Sequence, residues 1–274
     1  VLSYGDIVPD STNDRPYVLT LPTMAAAACY HGTIAPRLRE KPEDAVREAT
    51  EWASDGYLRL LWKGTGVTSR DFSEGVRRLS ELTGLSETTV RAASLRIDPE
   101  VFAGELLRER GLFTSLYDAR LVAPGNGYVF GEDPAMVLCG GPFVSAFLRY
   151  LTETLHFSTD REYRSLNKSL SRQWDYQSGA EWEGNGPTNV VGDLATAMRR
   201  DSGLRVFAAL GRYDLVCPPD SVLHSLGKMD IPGVRKKDIV TKWYEGGHMM
   251  YLNPEAKRKL RDDLVRFLGE SVRK

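Results

Sequence analysis

The chain has 274 residues, 42% of them hydrophobic and 27% charged, which suits one large globular domain or a core carrying an inserted one. With 36 basic and 37 acidic side chains the formal net charge is −1, and no basic excess points to nucleic acid or to an anionic membrane surface. Apolar runs such as Ala25 to Cys29 and Val206 to Leu210 are far too short to cross a bilayer, so no membrane span is expected.

Val1-Leu2-Ser3-Tyr4 reads as a strand. The chain opens inside it with neither a methionine nor a signal-like segment, so a preceding segment is expected, and a secretion signal could belong to it. Pro42 to Ala53 and Pro99 to Arg110 read as helices, each with a proline where a first turn tolerates one. Between them Phe72, Val76, Leu79 and Leu82 recur at helix spacing, from an acceptor at Thr68 or Ser69 to a stop at Gly84. Leu112 to Leu116 and Arg120 to Ala123 suggest a hairpin. Two more stripes follow, Phe143, Phe147, Leu151 and Leu155 with Pro142 near the start, then Leu166, Leu170 and Trp174. These aromatic stripes read as packing surfaces rather than a ligand site. Gly184, Gly186 and Pro187 lie in a polar stretch that reads as a link.

Beyond that link the rhythm changes to helix (Val190 to Arg200), strand (Leu204 to Leu210), helix (Ser221 to Leu226), strand (Ile239 to Tyr244) and a terminal helix lined by Leu260, Leu264, Phe267 and Leu268. Such alternation predicts an α/β fold, a parallel sheet covered on both faces and interrupted by a long helical insertion. No internal repeat, Walker loop or dinucleotide fingerprint occurs. Four scattered histidines and three scattered cysteines show no ligand spacing, so no metal or organic cofactor is implied. Cys29, Cys139 and Cys217 permit at most one disulfide.

In an open parallel sheet functional groups gather beyond the carboxyl ends of the strands. Asp214 follows one predicted strand through Gly211-Arg212-Tyr213, and His248 follows the next through Glu245-Gly246-Gly247. Neighbouring parallel strands would bring the two together. A carboxylate on one imidazole nitrogen fixes the tautomer and leaves the other nitrogen free to take a proton from a nucleophile. The order acid, then histidine, is that of the α/β-hydrolases.

Gly211-Arg212-Tyr213-Asp214-Leu215-Val216-Cys217 resembles the acid motif of the serine carboxypeptidases, and Gly247-His248-Met249 resembles their histidine motif. Leu21-Pro22-Thr23, Tyr30-His31-Gly32, Tyr117-Asp118-Ala119-Arg120, Asp133-Pro134, Gly141-Pro142-Phe143 and Gly246 to Tyr251 extend the likeness, especially to bacterial members, over nearly the whole chain. The resemblance implies a partial α/β-hydrolase sheet with a large, mostly helical cap. Residues 1–16 would be a core-sheet strand and loop, 17–187 the cap, and 188–274 the C-terminal part of the core. It implies catalytic Asp214 and His248, with Cys217, a free thiol, and Met249 lining the substrate pocket. The substrate would be a peptide, and a secreted or periplasmic setting is implied by the family alone.

The nucleophile is missing. Its elbow requires a glycine-flanked serine, G-x-S-x-G. Ser3 is the one tempting candidate, yet Val1 stands where a small glycine is needed and Asp6 to Asp10 does not read as the helix that should follow. The serine and oxyanion hole are therefore expected upstream, on the N-terminal portion of the same enzyme, and the isolated chain is expected to be inactive. The alternatives are a non-catalytic fragment or interaction module, or a related esterase or acyltransferase on the same framework.

Overall fold

The computed structural model describes residues 2–9, 12–174 and 188–272; Val1 and the Gly184–Pro187 link lie outside the described residues. The protein is of mixed α/β class and mostly helical, with two small two-stranded sheets among the described residues.

Helix α1 (Arg15–Tyr30) starts with Pro16 in its first turn, where the missing N–H costs nothing. Leu21, Met24, Ala25, Ala27 and Ala28 are all buried, so the helix is apolar on every side and forms the axis of the helical body. Helix α2 (Pro42–Trp52) packs on it through the small Ala45 and Ala49, followed by a short α3 (Leu58–Lys63). The Thr68 hydroxyl caps α4 (Ser69–Thr83) by accepting the Asp71 N–H at 3.1 Å, and Gly84 ends it in the left-handed region, as the sequence predicts. Helices α5 (Glu87–Ala92) and α6 (Pro99–Glu105) complete the body. Helix α6 stops short of the expected Arg110: the backbone of Leu107 leaves the helical region, and Arg108–Arg110 is a 3-10 turn closed by Gly111 in the left-handed region.

Strands β1 (Leu112–Thr114) and β2 (Val122–Pro124) form the expected antiparallel hairpin, joined by the connection 115–121. Asp133 holds that connection. Its buried carboxylate accepts from the Ser115 hydroxyl (2.6 Å), the Leu116 N–H (2.8 Å) and the Tyr128 hydroxyl (3.2 Å), and it caps α7 (Pro134–Arg149) through the Ala135 N–H (2.9 Å). Helix α7 begins well before Pro142, which lies inside it. The expectation that its stripe is a packing surface is corrected: Phe143, Phe147 and Leu155 are 51%, 40% and 54% exposed. Leu166, Leu170 and Trp174, around the short α8 (Lys168–Gln173), are exposed as well. Pro134–Thr154 is, by length and composition alone, the one described helix long and apolar enough to cross a membrane; a single such helix does not establish a span.

After α9 (Val191–Arg200) come β3 (Val206–Gly211), α10 (Pro219–Gly227), β4 (Ile239–Tyr244) and α11 (Pro254–Val272). The two strands pair in parallel, with Val206 opposite Ile239 and Gly211 opposite Tyr244. Side chains alternate as a pleat demands. Val206 and Ala208 pack with Ala195, Met198 and Leu226, whereas Phe207 and Ala209 pack with Tyr244, Ala256 and Leu260. Helices therefore cover both faces. The core-sheet strand expected at Val1 to Tyr4 takes another form among the described residues: Ser3 makes an isolated antiparallel bridge to Asn189, and Tyr4–Asp6 is a 3-10 turn.

Candidate functional site

Because β3 and β4 are neighbours in register, the loops that follow them leave the sheet side by side. The Arg212 N–H reaches the Tyr244 carbonyl (3.1 Å) and the Tyr213 N–H the Gly246 carbonyl (3.0 Å), so the two loops are stitched together beyond the strand ends. There the two predicted catalytic residues meet. His248 Nδ1 lies 2.9 Å from Asp214 Oδ2. The other carboxylate oxygen accepts the Val216 N–H at 2.9 Å and the Cys217 N–H at 2.8 Å. Asp214 is 5% exposed, so these bonds satisfy a charge that water cannot reach.

An acceptor-only carboxylate at Nδ1 requires that nitrogen to carry the proton. Nε2 is then the nitrogen left for chemistry, on a side chain 38% exposed. The Asp214 bond, with Cys217 beside it, pushes the imidazole up to about 10 against the opposing effect of burial. Burial pushes the Asp214 carboxyl up, opposed by the bonds from His248 and the two amides.

Cys217, half-buried, is a free thiol, as are the buried Cys29 and Cys139. Donor atoms of Asp214, Cys217 and His248 lie within 4.8 Å of one another, a trio that sequence spacing did not reveal. Both Asp214 oxygens are already committed to the imidazole and the amides, so the trio is arranged to orient His248 rather than to offer three free ligands. Met249 lines a cavity of about 240 Å³ with Tyr117, Leu121, Leu138, Met250 and Pro254. Cys217 is not part of its wall; it stands beside the imidazole instead. Ser3 is buried, and no serine hydroxyl among the described residues bonds to His248.

The connection 115–121 belongs to the site too, and sequence reasoning gave it no role. The His248 N–H donates to the Tyr117 carbonyl at 2.6 Å, and the Tyr117 ring meets the imidazole edge-on with centroids 5.7 Å apart. Asp118 Oδ2 accepts the Gly247 N–H at 3.1 Å. His31 donates Nε2–H to the Ala119 carbonyl (2.7 Å), and burial pulls its imidazole down, which favours the neutral donor form. His31 thus holds the connection rather than entering the chemistry. The signal available in sequence was Tyr117-Asp118-Ala119-Arg120, a polar cluster between two short strands.

No family model, curated protein or solved structure matches the chain.

Proposed function

We propose that Asp214 and His248 are the acid and base of a serine-type hydrolase, of the serine carboxypeptidase kind that the flanking motifs resemble. The observation that carries this reading is the 2.9 Å bond between Asp214 and His248 Nδ1 beyond two adjacent parallel strands, with Nε2 left for a nucleophile. In this reading β3 and β4 are part of an α/β-hydrolase sheet, residues 17–187 are its cap, and a G-x-S-x-G segment on the N-terminal portion of the same enzyme supplies the serine. His248 would take the serine proton, return it to the leaving amine, and release C-terminal residues of a peptide through an acyl-enzyme. The cavity beside Met249 fits a role in substrate contact.

Two measurements test it. A fluorophosphonate probe should leave this chain unlabelled, and specific labelling abolished in His248→Ala would move the nucleophile onto this chain. In a protein that joins this chain to a G-x-S-x-G segment, His248→Ala should cut peptidase turnover by a factor of about 10⁴ or more. Undiminished turnover would overturn the assignment.

A further inference from the structure

Among the described residues three chain segments hydrogen-bonded to one another meet at His248, and two of them carry the acid and the base. The third is the connection 115–121, which grips both of the others. It holds the acid loop through the Leu215 N–H on the Leu116 carbonyl (3.0 Å) and the Ala119 N–H on the Tyr213 carbonyl (3.0 Å). It holds the histidine loop through the Tyr117 carbonyl and the Asp118 carboxylate. The connection is itself stiff, since the Ser115 hydroxyl accepts the N–H groups of Tyr117 (3.0 Å) and Asp118 (3.1 Å) while donating to Asp133.

Asp118 is the one side chain of this connection that hydrogen-bonds the histidine loop. Its two oxygens take a bidentate grip from Arg120, at 2.9 Å from Nε and 2.7 Å from Nη2, and the pair is only 17% exposed on each side. A planar, two-point pair of this kind fixes direction better than a single exposed ion pair does. The Arg120 guanidinium in turn lies over the Tyr213 ring, 4.7 Å from its centroid, so the carboxylate is referenced to the acid loop. From there it reaches across to the amide that precedes His248.

We propose that Asp118 is a positioning residue: by accepting the Gly247 N–H while anchored through Arg120 to the acid loop, it sets the imidazole of His248 against Asp214. Its value for catalysis rests on the hydrolase reading above; the positioning itself does not. Asp118 touches neither the imidazole nor Asp214 and acts only through the loop. An isosteric amide keeps an acceptor toward Gly247 but gives up one of the two Arg120 bonds, so it should preserve part of the arrangement, whereas removal of the acceptor should lose it.

The experiment is an NMR titration of the His248 imidazole, assigned by its absence in His248→Gln, in the wild-type chain, Asp118→Ala and Asp118→Asn. The groups facing His248 are Asp214 and Cys217 from the acid loop and Tyr117 from the connection, and none of the three is substituted in these variants. In Asp118→Ala, looser Asp214 contact should lower the proton affinity of His248 by about tenfold or more, and Asp118→Asn, which keeps the acceptor toward Gly247 but only one bond from Arg120, should restore part of it. An unchanged titration in folded Asp118→Ala overturns the proposal, and so does an equal drop in both variants, which would make charge rather than the acceptor responsible. Should the alanine chain not fold, amide exchange in the wild type decides. A protected Gly247 amide upholds the bond, and free exchange overturns it. None of these readouts measures peptidase activity, so failure of the hydrolase reading and failure of this one are separately visible.

Discussion

Gly211 and Gly247 meet backbone to backbone. A Cβ on Gly211 would overlap the Gly247 carbonyl, and a Cβ on Gly247 would overlap the Tyr117 carbonyl and Asp118. Acid loop, histidine loop and the connection 115–121 are thus layered with no side chain between them, which is what lets short hydrogen bonds register one loop against another.

Gly211→Ala must therefore push the two loops apart. Overfilling a packed site costs about 1–3 kcal/mol, which chemical denaturation would read. The same variant should return the His248 titration toward its ordinary 6.5, because the Asp214 contact is what raises it. Gly227→Ala, at the end of α10 where a Cβ meets nothing within 4 Å, is the control and should cost nothing. Equal behaviour of the two variants would show that the close approach does not govern the site.

Asp133 is the anchor of the connection from the other side. It is fully buried and serves Ser115, Leu116, Tyr128 and the first turn of α7. Asp133→Ala strands several buried donors at once and should destabilise the chain by at least ~3 kcal/mol in urea unfolding, with Asp133→Asn milder. A loss under about 1 kcal/mol would mean that water replaces these bonds freely.

What the sequence made legible was local or ordered chemistry. The Thr68 cap and Gly84 stop define α4 by themselves, and the apolar runs at Val206 and Ile239 declare β3 and β4. Asp214 and His248 could be paired in advance because each follows one of those strands by a short glycine-bearing turn. Helix α1 was not legible as a helix, since burial on all sides erases the 3.6-residue alternation that a half-exposed helix shows. Asp118 was not legible as part of the site because its partner Gly247 is 129 residues away, and only the tertiary fold joins them. The Phe143 stripe misled for a related reason: periodicity reports that a face is apolar, not that anything in this chain covers it.

Thiol reactivity should follow the same geometry. Cys29 and Cys139 are buried, and burial raises both thiols, which slows alkylation. Cys217 is half-buried at the edge of the site and should react first with iodoacetamide, as peptide mapping would show. Modification of either buried thiol before Cys217 would mean that the helix carrying it, α1 or α7, opens more readily than the acid loop admits a reagent.

The raised titration of His248 has a consequence for pH. An unfolded imidazole titrates near 6.5 and the folded one near about 10, so the folded state binds the proton more tightly. The stability gained from the protonated pair with Asp214 is fully present below about 6.5 and is lost as the pH rises through about 10. Solvent trims the size of this effect, since the His248 side chain is 38% exposed, but does not change its sign. The stability difference between wild type and His248→Ala should therefore shrink steadily from pH 6 toward pH 10. Asp214→Asn should flatten that slope and bring the imidazole back toward 6.5. A difference that grows with pH would reverse the sign and mean that the pair is held together in its neutral form. The same protonation bears on chemistry, because an imidazolium cannot act as a base. Base catalysis through Nε2 should thus climb about tenfold per pH unit until the imidazole loses its proton. A rate already level at neutral pH would mean that the nucleophile-bearing segment lowers the titration of His248 when it completes the site.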